Sequence, residues 1–118
     1  MSLKVYQYKK CSTCVKALKF LKAKGIDFIE IDITETPPGK EELKKMLAFQ
    51  KGEIKKLFNT SGVVYREMNL SKRMKELSEN EAIELLSSNG KLIKRPFLLT
   101  ETLGVVGFKE EEWKNIKG

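Results

Sequence analysis

The sequence predicts an α/β fold, a mixed sheet with helices on its faces, and three stretches predict it. Leu3-Lys4-Val5-Tyr6-Gln7-Tyr8 alternates residue types with period two and is rich in strand formers. Val15, Leu18 and Leu21 then recur at helical spacing, with Ala17 and Phe20 beside them. Asp27-Phe28-Ile29-Glu30-Ile31-Asp32-Ile33 alternates acid with Phe or Ile, the pattern of a half-buried strand. Strand, helix, strand makes a βαβ unit, whose crossover is expected to be right-handed. A chain of 118 residues has the usual size of one domain, so residues 1–118 are expected to share a single core.

The remaining elements follow from local signals. Lys22, Lys24 and Gly25 supply the basic last turn and the cap that end the first helix. Thr36-Pro37-Pro38-Gly39 breaks the second strand, and Glu41, Glu42, Leu43, Met46 and Leu47 open a helix with acids in its first turn. Ile54, Leu57 and Phe58 suggest a short helix that ends in the turn-rich Asn59-Thr60-Ser61-Gly62. Ser78-Glu79-Asn80-Glu81 has capping-box spacing ahead of Ala82, Ile83, Leu85 and Leu86, and Asn89-Gly90 stops that helix. The span from about 38 to 90 therefore reads as a helical insert without a strand of its own. Phe97–Thr100 and Val105–Phe108 form an expected hairpin around a turn at Glu101–Gly104, and Glu110, Glu111 and Glu112 open a last helix with Trp113 and Ile116.

Composition narrows the function. The 41% hydrophobic and 33% charged residues are those of an ordinary globule, and no apolar run approaches the ~20 residues a bilayer requires. Met1-Ser2-Leu3-Lys4-Val5 lacks the features of a secretory signal, so a cytoplasmic protein with no membrane partner is expected. The net charge is +7, with Lys51, Lys55, Lys56, Arg66, Lys72, Arg73 and Lys75 clustered against only Glu53 and Glu67. That cluster is either a solvated face or a surface for an acidic partner. No aromatic interleaving, zinc spacing or helix-turn-helix pattern points to direct contact with nucleic acid. A monomer is expected.

Chemistry concentrates in Tyr8-Lys9-Lys10-Cys11-Ser12-Thr13-Cys14-Val15-Lys16-Ala17, which holds both cysteines of a chain without histidine. Cys11 falls where the first strand gives way to a helix, and unpaired N–H groups there favour an anionic sulfur. Lys9 and Lys10 add positive potential. The two-residue spacing lets Cys14, one turn further in and more buried, attack a mixed disulfide formed on Cys11. A CxxC pair beside a βαβ unit points to thioredoxin-like redox chemistry. Two other readings stand beside it. A pair of inert buried thiols is one, since free cysteine packs as a small hydrophobe. Half a zinc site is the other, though two cysteines and no histidine leave the tetrahedron to carboxylates or a partner chain. The absence of histidine removes Cys-His and Ser-His hydrolase mechanisms. Arg95-Pro96, just ahead of a strand, marks either a candidate cis bond, which in a thioredoxin-like sheet would face the cysteines, or merely the start of an edge strand.

The CxxC after the first strand, the insert starting near Pro37-Pro38, and Lys94-Arg95-Pro96 before the last hairpin resemble the ArsC/Spx family of thioredoxin-like proteins across nearly the whole chain. The resemblance implies a thioredoxin-like mixed sheet built as βαβ, helical insert, ββα. It also implies a thiol–disulfide oxidoreductase in which Cys11 is the nucleophile, Cys14 resolves and Arg95 steadies an anion. Lys10, Ser12, Thr13, Asn59 and Pro96 are the expected substrate-binding residues. Where arsenate reductases of the family read Cys-Gly-Thr-Ser-Arg, this chain reads Cys11-Ser12-Thr13-Cys14-Val15, and Arg95 matches the arginine before proline. Asn59 and Phe108 fall near the places of the other two arginines. No bound cofactor is expected; glutathione, a thioredoxin or a glutaredoxin would donate electrons. The Spx branch implies the alternative of a redox-sensing transcriptional regulator that binds the RNA polymerase α subunit, because Cys14-Val15-Lys16-Ala17 follows its motif.

Overall fold

Period-two alternation decides which way the sheet residues face, and the computed structural model, which describes residues 3–116, shows both faces buried. Met1, Ser2 and the last two residues of the expected 1–118 span lie outside the described residues. The strands are β1 (Lys4–Gln7), β2 (Ile29–Asp32), β3 (Phe97–Leu99) and β4 (Gly104–Val106), in the spatial order β2-β1-β3-β4. β1 pairs in parallel with β2 and antiparallel with β3, and β3 pairs antiparallel with β4. Val5, Leu98 and Val105 point to one face, where they meet α1 (Ser12–Ala23) and α6 (Glu110–Trp113) through Ala17, Leu21 and Trp113. Tyr6, Phe97 and Leu99 point to the other, under the helices between residues 40 and 92.

Those helices are α2 (Lys40–Phe49), α3 (Val63–Glu67), α4 (Leu70–Arg73) and α5 (Glu79–Ser88), with 3-10 turns at Ile54–Leu57 and Gly90–Leu92. The capping box ahead of α5 forms as its spacing predicts: Ser78 Oγ accepts from the Glu81 N–H, and the Ser78 N–H donates to the Glu81 carboxylate, each at 3.1 Å. Gly39 caps α2 with the Glu42 side chain reaching back to its N–H.

One expectation needs correction. The second strand was expected to be half-buried from Asp27 to Ile33, but β2 is an edge strand of four residues and Ile29 is 48% exposed. Only Ile31 and the fully buried Ile33 on that face reach the helices. Between β2 and β3 no strand is found among the described residues, but Phe58 and Ile93 form an isolated antiparallel bridge, flanked by Asn59 N–H donating to Leu92 C=O (2.7 Å) and Lys94 N–H donating to Leu57 C=O (2.8 Å). This bridge ties the middle of the insert to the segment just after it.

Candidate functional site

The site begins with the junction after β1. Cys11 is the N-cap residue of α1, in an extended conformation, and its sulfur accepts from the Cys14 N–H at 3.4 Å. A side-chain acceptor at an N-cap satisfies one of the amides that a helix start leaves unpaired. Here the acceptor is sulfur, placed at the positive end of the helix dipole. Cys11 is partly exposed and Cys14 is fully buried; both are free thiols. Burial pushes the Cys14 thiol up to about 12, helped by the hydrogen bond with Cys11, while the Arg95 charge acts in the opposite direction.

A cleft of about 280 Å³ opens in front of Cys11, lined also by Thr13, Asn59, Arg95 and Phe108. Residues far apart in sequence meet here for identifiable reasons. The Phe58–Ile93 bridge holds Asn59 opposite Leu92 and Lys94 opposite Leu57, and Asn59 and Lys94 both line the cleft. Arg95 follows, joined to Pro96 by the expected cis peptide, and its guanidinium stacks on the Tyr8 ring at 5.2 Å from the centroid. Phe108 is held edge-on against Phe20 (5.6 Å) and Trp113 (5.1 Å). Gly107 turns the chain there with φ +75, a conformation that glycine adopts without strain, and its carbonyl accepts from the buried Trp113 indole at 3.1 Å.

Of the residues singled out from sequence, Cys11, Thr13, Asn59 and Arg95 thus share one cleft, with Cys14 directly beneath. Lys10, Ser12 and Pro96 do not line it: Lys10 and Ser12 are exposed, and Pro96 is buried, its carbonyl accepting from the Gly107 N–H at 2.8 Å. Sequence reasoning missed Ser61 and Lys109 at the rim and did not place Lys94 there. The signal for Ser61 was available in the turn-rich Asn59–Gly62, whose backbone closes with the Gly62 N–H on the Asn59 carbonyl (3.1 Å). Lys94, Arg95 and Lys109 line the cleft and no carboxylate does, so it suits an anion. Among the described residues no group of three or more His, Cys, Asp or Glu is placed to hold a metal ion.

Comparison with known proteins agrees with this geometry. An ArsC family related protein from Bacteroides fragilis superposes with a TM-score of 0.94 at 45% identity, covering 99% of this chain and 98% of its own. The Bacillus subtilis protein YusI, which is uncharacterized, is 48% identical over 114 residues, 97% of each chain. The regulatory protein MgsR of the same organism is 33% identical over 110 residues, covering 93% of this chain and 86% of its own. The sheet and its helices are therefore those of a thioredoxin-like protein, as the resemblance implied. The family pattern itself matches residues 6–116, from the strand that presents Cys11 to the residues packed behind Phe108, and the chain belongs to the ArsC family.

Proposed function

We propose that the protein is a cytoplasmic thiol–disulfide oxidoreductase in which Cys11 attacks and Cys14 resolves. The observation that carries this is the asymmetry of the pair: one sulfur accepts an N–H at a helix start in an anion-binding cleft, the other is buried beneath it. The Cys11 thiolate attacks one sulfur of a disulfide substrate, forming a mixed disulfide and expelling the other sulfur as a thiolate. Cys14 loses its proton and attacks the Cys11 sulfur, which releases the second substrate thiolate and closes the Cys11–Cys14 disulfide. Two electrons have then moved from the protein to the substrate, and glutathione, a thioredoxin or a glutaredoxin returns them by the reverse exchange. Burial raises the Cys14 thiol and keeps it protonated near neutral pH, so the second step depends on its deprotonation. Arg95 steadies the anionic sulfur or substrate, and Thr13 and Asn59 contact it. Turnover with arsenate is expected to be weak, because Asn59 and Phe108 offer no guanidinium and lysine does not reproduce the bidentate fork.

The test is turnover of a small neutral disulfide coupled to a thiol reductant. Wild type and Lys16→Ala should reduce it; a Cys11→Ser protein that retains full activity would overturn the assignment.

A second reading is supported by the similarity to MgsR and by the exposure of the cationic side chains between Lys51 and Lys75. In it the same dithiol is a sensor and the protein binds the RNA polymerase α subunit as a regulator. Titration of purified α subunit with reduced and oxidised protein separates the two: binding in neither state removes the regulator.

A further inference from the structure

The cleft at Cys11 does not end at its rim. A second cavity of about 380 Å³ adjoins it, sharing Lys94, Val106 and Lys109, and continues to Phe58, Lys55 and Lys56. Together they form one trough running away from the thiol. Its lining carries Lys55, Lys56, Lys94, Arg95 and Lys109 against Glu53 and Glu112, and Glu53 is already engaged by Lys56 at 3.0 Å.

The backbone at the middle of this trough is open. In the β3–β4 ladder the Thr100 N–H donates to Leu103 C=O and the Gly107 N–H to Pro96 C=O, each at 2.8 Å. Antiparallel pairs alternate, so Val105 exchanges bonds with Leu98 while Gly104 and Val106 turn their N–H and C=O outward. Gln50 confirms the alternation: its side-chain amide crosses the free edge to the Gly104 carbonyl at 3.1 Å, and Gln50 lines the second cavity. The N–H and C=O of Val106 have no such partner among the described residues, and Val106 lines both cavities. A β4 edge with one free amide pair, in a cationic trough leading to a thiol, matches an extended acidic strand that adds to the sheet.

We infer that the trough receives an extended acidic peptide segment of a partner protein, pairing with the Val106 backbone and presenting its disulfide to Cys11. This rests on the thiol-exchange reading above and names its substrate class: a protein rather than a small disulfide. Cys11 forms the mixed disulfide with the peptide sulfur, and the peptide's other sulfur leaves as thiolate.

The experiment uses Cys14→Ser protein, which stops at the mixed disulfide, and follows its formation by mass with five probes: bis(2-hydroxyethyl) disulfide, a small anionic disulfide, an acidic extended peptide carrying a mixed disulfide, its basic counterpart, and the acidic peptide N-methylated at one alternate set of backbone positions. The acidic peptide should react about tenfold faster than the basic one at low salt. N-methylation at one alternate set of positions should remove much of that advantage, and Lys55→Glu/Lys56→Glu should lower the acidic-to-basic ratio. Failure of Cys11 with the neutral disulfide would count against the thiol-exchange reading itself. Normal reaction with that disulfide, together with equal rates for all three peptides, would overturn the peptide trough alone. So would a small anionic disulfide that reacts as fast as the acidic peptide.

Discussion

The Cys14 amide donates to the Cys11 sulfur at 3.4 Å, so the resolving residue holds its partner through the backbone before any bond joins the two sulfurs. The same turn that positions Cys11 for attack buries the Cys14 thiol and disfavours its charge. In the proposed exchange the partly exposed sulfur attacks and the buried one, whose charge is disfavoured, resolves.

One expected outcome is kinetic. Because the Cys14 thiol is pushed up to about 12, its thiolate fraction rises about tenfold per pH unit below that value. Resolution of a mixed disulfide on Cys11 should accelerate with the same slope between about pH 7 and 9, in single-turnover mass spectrometry after acid quench. A rate independent of pH over that range would show that Cys14 is not the attacking group.

A second concerns stability. The folded state raises the Cys14 thiol from 9.0 to about 12, so native protein holds that proton more tightly than the unfolded chain. The stabilisation is fully present below pH 9.0 and is lost as pH climbs from there toward about 12. Tyr6 adds to the same trend, its hydroxyl raised by burial and by its 2.6 Å hydrogen bond to Glu42. Denaturant midpoints of the reduced protein should fall across this window, and Cys14→Ala should fall less steeply even though it is less stable at neutral pH.

Arg95 and Tyr8 give a third. The guanidinium lies 5.2 Å from the ring centroid, a contact worth about 0.5–1 kcal/mol at a partly exposed site. Arg95→Lys keeps the charge but loses the planar stack. If stacking aims the guanidinium at the cleft, Arg95→Lys and Tyr8→Leu should each slow attack on an anionic disulfide by about two- to fivefold, and the double variant should lose little more than the worse single. Additive losses in this cycle would mean that the stack does not position Arg95.

Two substitutions test the insert. Ser78→Ala removes one side of the capping box and should cost about 1 kcal/mol, read from the denaturant midpoint. Gly90→Ala should cost more, about 3 kcal/mol, because a Cβ there would run into the Ile33 carbonyl, which is backbone and has little room to move. An unchanged midpoint for Gly90→Ala would mean that the end of β2 and the Gly90–Leu92 turn are not in tight register.

What could be read from the sequence is what depends on neighbours in the chain. The place of Cys11 was legible because a period of two stops and a period of 3.6 begins at the motif. Ser78 and Glu81 named their own helix, and Lys94-Arg95-Pro96 announced the strand that follows. α3 and α4 were legible only as part of a helical span, since five and four residues are too few for an apolar stripe: Val63 is 59% exposed while Tyr65 and Leu70 are buried. Asn69, in the left-handed region at φ 56, separates them without a glycine to mark the turn. Ser61, Lys94 and Lys109 reach the cleft through the Phe58–Ile93 bridge and the Gly107 turn, which are long-range arrangements that no local pattern announces. The exposure of Ile29 follows from strand order, a property of the whole sheet.

The Phe58–Ile93 bridge separates two kinds of variation. With Asn59 and Lys94 clamped to Leu92 and Leu57 across it, the rim of the cleft is closed on itself, and the chain between them is a loop hung from a fixed clasp. Provided that Tyr65, Leu70, Ala82 and Ile83 continue to fill the core, the exposed positions of α3 and α4 are free to be rewritten without moving the thiol or the arginine. The surface of α3 and α4 and the chemistry of the cleft can therefore drift independently in one small chain.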